Sequence, residues 1–151
     1  MSSEFDARFQ LRLAKGFQEE AQQDYQLRRW RSCVDNAQLS VENSGKAIIA
    51  LFEPVQKTHN PANQLREIIK KNRIDAALLP DLQTALTVFD ELGFAQHFMT
   101  DYGDEEGYRD PWSIFSEADA LKSLETVSTC LALAERFFNF YHPESDSTLV
   151  E

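Results

Sequence analysis

The sequence has little glycine and little proline, with five of each among 151 residues. These residues mark most tight turns, so their scarcity argues against a fold of many short strands. Hydrophobic residues make up 42% of the chain, which is ordinary for a globular protein of one domain. The composition therefore predicts a single domain that consists of a few long secondary-structure elements.

Cysteine is also scarce. Cys33 and Cys130 are the only two, and they lie far apart in the sequence. Neither belongs to a Cys-x-x-Cys pair, so the pattern supports neither a disulfide framework nor a zinc site. Each falls within an apolar helical pattern, which predicts a buried thiol. We expect no metal and no other cofactor.

Long hydrophobic runs are missing as well. No apolar stretch approaches the ~20 residues that a membrane-spanning helix needs. The N-terminal segment 1–10 is charged and has no apolar core of the kind found in signal peptides. The sequence therefore predicts a cytoplasmic protein without membrane association.

Positive charge is rare in the second half of the chain. Residues 1–73 carry 12 Lys and Arg against 9 Asp and Glu, whereas residues 74–151 carry 3 against 16. Because phosphate binding needs a positive surface, general DNA or RNA binding by the whole protein is not expected. A local basic patch remains open, and the acidic half is expected to face a basic partner.

The first two helices are predicted from apolar residues at helical spacing. The first runs from Glu4 to Leu27, and Ala14 is expected to share its inner face. The second runs from Trp30 to Val55, where Pro54 ends it, and a row of small residues beside its apolar seam predicts close packing on two neighbours. The predicted inner stripe of the first helix is Phe9, Leu13, Phe17, Ala21 and Tyr25, and the small row is Cys33, Ser40 and Ala47.

The rest of the chain continues in the same way. A short helix is predicted over Ala62–Asn72 and a longer one from Leu79 to Leu92, with Pro80 in its first turn. An acidic loop follows over 98–115, and Ser116 with Asp119 reads as a capping pair for a last helix that ends at Tyr141. We predict an all-α, antiparallel up-and-down bundle of four to five helices over residues 1–141, and a disordered tail over 142–151.

Several short motifs occur together along this pattern. Residues 42–47 read Glu-Asn-Ser-Gly-Lys-Ala, and a Thr-His-Asn run with a later Leu follows in the next loop. With Glu20, Asp24 and Tyr25 at the end of the first helix and the stretch Trp112–Ala120, the chain resembles the HEPN family (higher eukaryotes and prokaryotes nucleotide-binding domain) over about Glu20–Tyr141. Gly45 stands where the family usually has Ala, and we interpret it as allowing close helix contact. The loop motif comprises Thr58, His59, Asn60 and Leu65.

The resemblance implies a helical bundle that usually dimerises. Some members of this family are metal-independent ribonucleases with an Arg-x4–6-His motif that acts on the 2′-hydroxyl and the phosphate. Others are non-catalytic and are often paired with a minimal nucleotidyltransferase in toxin–antitoxin-like systems. In this chain only Arg136 and His142 have the required spacing. Because His142 lies at a helix end beside Pro143, we favour a solvated helix end over a catalytic pair.

The family name implies a nucleotide site, for which Lys46, His59 and Asn60 are the candidate residues. A lysine and an imidazole could bind a phosphate or a base edge. The structural alternative is that Asn60 caps the following helix with Pro61 as its first residue, while Lys46 lies on the surface or at a dimer edge.

Two charged clusters have further interpretations. The run Arg28–Arg31, which includes Trp30, could bind phosphate or stack on a base, but it is more typical of a solvated turn with Trp30 in the core. The acidic residues of segment 101–110 do not match the spacing of a calcium loop. They are better suited to repel nucleic acid or to contact a basic partner.

Three functions remain open from the sequence. The first is a non-catalytic, homodimeric HEPN module that binds a nucleotidyltransferase-like partner and a nucleotide. The second is a HEPN ribonuclease that uses Arg136 and His142. The third is a nucleotide or small-ligand sensor that uses Lys46, His59 and Asn60.

Overall fold

The structure is a computed structural model that describes residues 3–91 and 102–145. The secondary-structure elements in these two ranges are all helices, which confirms the predicted all-α bundle. The helices are α1 (Ser3–Gln26), α2 (Trp30–Ala50), α3 (Ala62–Lys70), α4 (Leu79–Glu91), α5 (Pro111–Ile114) and α6 (Glu117–Tyr141), and a 3-10 turn follows at Pro143–Ser145.

Helix α2 lies at the centre of the bundle. Thirteen of its 21 residues are buried, against α1 on one side and α6 on another. The Ser40 hydroxyl donates to the Ala14 carbonyl of α1 at 2.6 Å, and the Cys33 thiol lies 3.8 Å from the Ala120 carbonyl of α6. The row of small residues thus brings two neighbouring backbones close to α2, as the sequence predicts.

Helix α1 does not turn the predicted stripe inward. Its buried residues are Ala7, Leu11, Ala14 and Ala21, whereas Phe9 is 49% exposed. The close approach to α2 favours alanines spaced seven residues apart, and Leu11 is the one larger side chain buried on this side of α1. The prediction was right for Ala14 and Ala21 and wrong for Phe9.

Two helix ends also differ from the prediction. Helix α2 ends at Ala50 rather than Val55. The N–H groups of Leu51 and Phe52 donate to carbonyls three residues earlier, which tightens the last turn before Pro54. Helix α3 ends at Lys70, two residues earlier than predicted, where Asn72 takes a left-handed conformation with φ 54°.

Helix α6 begins as the sequence predicts. The Ser116 hydroxyl accepts from the Asp119 backbone N–H at 3.2 Å, and the Asp119 carboxylate accepts from the Ser116 N–H at 2.9 Å. Helix α5 was not predicted and lies within the segment assigned to an acidic loop. It begins because the Asp110 carboxylate accepts from the Ser113 N–H at 3.0 Å and Pro111 occupies the first helical position.

Part of the acidic segment forms a tight turn. The Asp104 carboxylate accepts from Arg109 at 2.9 Å and from the Gly107 N–H at 3.0 Å, and these bonds lower the pKa of the carboxyl group. Within the two described ranges, no cluster of three or more His, Cys, Asp or Glu is arranged to hold a metal. The predicted loop residues 98–101 and the predicted tail residues 146–151 lie outside those ranges.

Gly45 is the point where a loop and α4 meet α2. A Cβ atom at this position would lie 2.6 Å from Cγ of Pro61 and 3.1 Å from Cε1 of Phe89. Neither neighbour is the free end of a flexible side chain, because Pro61 and Phe89 are both buried. The geometry agrees with the interpretation that Gly45 allows close contact.

The substitution Gly45→Ala is therefore expected to destabilise the fold. Ala favours a helix over Gly by up to ~1 kcal/mol, whereas overpacking costs about 1–3 kcal/mol. Because a Cβ atom would lie only 2.6 Å from Cγ of Pro61, we expect a cost near the upper end of that range and a net loss of about 1–2 kcal/mol. Urea unfolding measures the difference. Adding Pro61→Ala should recover part of the cost, and a Gly45→Ala variant as stable as the wild type would contradict the account.

Candidate functional site

The predicted nucleotide-binding residues meet around the carboxylate of Glu42 on α2. Lys46 Nζ lies 2.8 Å from Glu42 Oε2, and His59 Nδ1 lies 3.1 Å from Glu42 Oε1. The side chains of Glu42 and Lys46 are only 13% and 16% exposed, whereas that of His59 is mostly exposed. One helix and the loop before α3 thus bring Lys46 and His59 to a single anionic group.

Asn60 has a different role in the structure. Its side-chain oxygen accepts from the Ala62 N–H at 2.9 Å, which caps the first turn of α3, and Pro61 has helical backbone angles (φ −74°, ψ −11°). A hydrogen bond from Asn60 also contributes, after the larger effect of Arg66, to lowering the pKa of Asp90. Asn60 thus supports the start of α3 as the structural alternative predicts, but the helix begins at Ala62 with Pro61, rather than Asn60, as its N-cap residue.

Glu42 changes what this cluster can bind. A phosphate that approaches Lys46 and His59 meets the Glu42 carboxylate, which contacts both side chains, and the phosphate and the carboxylate repel each other. Glu42 belongs to the sequence motif over residues 42–47, but no role was predicted for it. The four-residue spacing of Glu42 and Lys46 on a helix was the signal for an ion pair.

A buried amide fixes the loop before α3. Gln64 is 3% exposed, and its side-chain oxygen accepts from the Gln56 N–H at 3.0 Å. Its side-chain nitrogen donates to the Glu53 carboxylate at 2.7 Å and to the Pro54 carbonyl at 2.9 Å. The hydrogen bond from Gln64, together with nearby Lys71 and Arg73, lowers the pKa of Glu53. Sequence reasoning missed this role because a lone glutamine in a helix gives no signal of burial.

Replacing Gln64 with leucine is expected to destabilise the protein by about 1–3 kcal/mol. The substitution nearly keeps the volume of the side chain, but leaves the Gln56 N–H and the Pro54 carbonyl without their partner. Urea unfolding of Gln64→Leu measures the loss, with Asn63→Ala on the exposed neighbouring position as the control. A control loss within about 0.5 kcal/mol is expected. Equal stability of Gln64→Leu and the wild type would contradict the assigned role.

Arg136 and His142 are engaged by different helices. Arg136 forms an ion pair with Asp81 of α4 and donates to the Ala77 carbonyl at 3.3 Å. His142 Nδ1 lies 3.3 Å from Glu4 Oε1 of α1, and its ring lies 5.4 Å from that of Phe138. Arg136 and His142 therefore contact two different carboxylates, those of Asp81 and Glu4.

The arginine-rich turn between α1 and α2 is built on two tryptophans. Arg28 lies over the Trp30 ring at 5.2 Å, and Arg31 lies over the Trp112 ring at 5.8 Å. Trp30 packs edge-to-face with Tyr25 against the core, whereas Trp112 on α5 is 73% exposed. The anchoring role predicted for Trp30 agrees with this geometry, and the contribution of Trp112 was not predicted.

Comparison with known families decides the relationship of this chain. A family model described as the HEPN domain matches residues 7–144. The chain belongs to the HEPN domain family. None of the curated proteins matches the chain significantly.

The HEPN match covers every helix described above except the first residues of α1. It includes the Glu42 cluster on α2 and the α6 segment that holds Arg136 and His142. None of the described helices is long and apolar enough to cross a membrane.

Proposed function

We propose that this HEPN domain is a non-catalytic, homodimeric module of the cytoplasm that acts by binding a partner protein. The proposed partner is a nucleotidyltransferase-like protein in a toxin–antitoxin-like system. The observation that carries the proposal is the separate engagement of Arg136 by Asp81 and of His142 by Glu4.

A ribonuclease of the Arg-x4–6-His type needs both side chains at one phosphate. General acid–base catalysis requires a histidine within hydrogen-bonding distance of the proton that it transfers, and the arginine must reach the same phosphate. Here Arg136 is directed to α4 and His142 to α1. The ion pair of Arg136 and the contact of His142 with Glu4 would both have to break before the two side chains could act together, which favours the non-catalytic function.

The acidic surface supports a basic protein partner. Most of the acidic residues described after residue 74 are exposed, so their charge is available for electrostatic steering. The exposed acidic residues are Asp75, Asp81, Asp90, Glu91, Glu105, Glu106, Asp110, Glu117, Asp119, Glu125 and Glu144. Several of them are balanced locally, as Asp81 is by Arg136 and Asp90 by Arg66.

The nucleotide-binding role of Lys46, His59 and Asn60 stays a prediction. Lys46 and His59 share the Glu42 carboxylate, and Asn60 caps α3. In this arrangement the Glu42 carboxylate competes with a phosphate for Lys46 and His59. Partner binding is therefore placed ahead of the sensor function.

Incubation of the purified protein with mixed RNA in the presence of EDTA tests the proposal. The wild type, Arg136→Ala and His142→Ala are all expected to leave the RNA intact, because the arginine and the histidine do not form a joint site. His59→Ala serves as a matched histidine control outside the pair. Cleavage by the wild type that is lost in His142→Ala but kept in His59→Ala would make the protein a ribonuclease.

A further inference from the structure

Helix α1 presents one continuous line of exposed residues to solvent. The positions are separated by 4, 3, 4, 4, 3 and 4 residues, which keeps them on one side of a helix. The line lies opposite the alanine face that packs on α2. We call it the outer line of α1, and its seven members, all exposed, are Phe5, Phe9, Arg12, Gly16, Glu20, Gln23 and Leu27.

The ends of the outer line are apolar. Phe5 is 61% exposed, Phe9 49% and Leu27 61%. Leu27 continues the helical path just beyond α1, because its N–H donates to the Gln23 carbonyl at 3.1 Å. Phe5 and Phe9 lie one helical turn apart at one end of the line, and Leu27 lies at the other end. Exposed apolar residues that lie together are more typical of a contact surface than single ones.

Gly16 lies at the middle of the outer line, within a helix of 24 residues. A glycine inside a helix is less favourable than alanine. A Cβ atom at Gly16 would meet nothing within 4 Å, in contrast to Gly45, where two buried side chains fill the space. No contact within the protein therefore requires this glycine, and its missing side chain leaves room for another backbone to approach.

The outer line is symmetric about Gly16. Phe5 and Leu27 each lie eleven residues from it, and Arg12 and Glu20 each lie four residues from it. A second copy of α1 that runs antiparallel, with its Gly16 against this one, places Phe5 opposite Leu27. The same operation places Arg12 opposite Glu20, so opposite charges meet twice. The Arg12 guanidinium already lies on this surface, 5.8 Å from the centre of the Phe9 ring.

We propose that the outer line of α1 is the homodimer interface, formed by antiparallel packing on α1 of a second copy with the two-fold axis at Gly16. The proposal rests on the dimeric state in the proposed function and names its surface. Contacts between two copies related by a two-fold axis must be self-complementary. The apolar ends and the Arg12–Glu20 exchange meet that requirement.

Disulfide cross-linking through Gly16→Cys tests the position of the two-fold axis. At this axis the two copies bring residue 16 close to residue 16, and a disulfide needs Cα atoms within about 7 Å. Cys33 and Cys130 will not interfere, because both are buried and burial raises their pKa values to about 11 and about 12. Gln22→Cys, exposed on α1 but off the line, is the matched control.

Mild oxidation is expected to give a covalent dimer with Gly16→Cys and far less with Gln22→Cys. Equal cross-linking of the two variants would overturn the proposal. A Cβ at position 16 meets nothing within the protein, so this variant is expected to keep its fold. Circular dichroism checks that expectation.

Charge exchange provides an independent test by sedimentation equilibrium. Arg12→Glu and Glu20→Arg are each expected to raise the dimer dissociation constant by about tenfold or more, since like charges then meet twice across the axis. The double variant Arg12→Glu/Glu20→Arg restores opposite charges and is expected to return the constant close to the wild-type value.

The outcomes separate this proposal from the proposed function. A dimer that is unchanged in both single variants uses another surface, which overturns the α1 interface and leaves a dimeric module in place. A wild type that sediments as a monomer of 17.3 kDa at all concentrations overturns both the interface and the dimeric state.

Discussion

The fold depends on the close approach of α2 to α1. Small residues on both helices permit it, and the Ser40 hydroxyl donates across the contact to the Ala14 carbonyl at 2.6 Å. Because only alanines and Leu11 fit on that side of α1, the aromatic residues Phe5 and Phe9 lie on the outer side. The packing inside one protomer thus determines which surface is available for a second copy.

The opposite side of α2 shows the same principle. Gly45 allows Pro61 and Phe89 to lie against α2, and the loop before α3 is held by Gln64 and by the contact between His59 Nδ1 and Glu42. Lys46 contacts the same carboxylate from within α2. Gly45 and Gly16 differ in role. Pro61 and Phe89 fill the space beside Gly45, whereas nothing within the protein fills the space beside Gly16.

Much of the fold was predictable from local patterns. The helical periodicity, the Ser116–Asp119 cap and the small residues of α2 each depend on neighbours within a few residues, and so does the HEPN resemblance. The orientation of α1 was not predictable, because a stripe of apolar residues every four positions and a stripe of alanines every seven positions are both compatible with a helix. The close packing on α2 selects the alanine stripe. The same limit applies to the site, where Arg136 meets Asp81 and His142 meets Glu4 through long-range contacts.

Helix α1 packs on α2 with one side, and we propose that it packs on an antiparallel second copy with the other. The most direct test is a pulsed electron-spin measurement of the distance between spin labels on Leu27→Cys in the dimer. In an antiparallel pair centred on Gly16, residue 27 of each copy lies eleven residues from the axis, and the two lie on opposite sides of it. At 1.5 Å per residue, their backbones are predicted to be about 33 Å apart. A label distance consistent with that separation would support the account. A short distance of about 10 Å, as for parallel helices in contact, would contradict it.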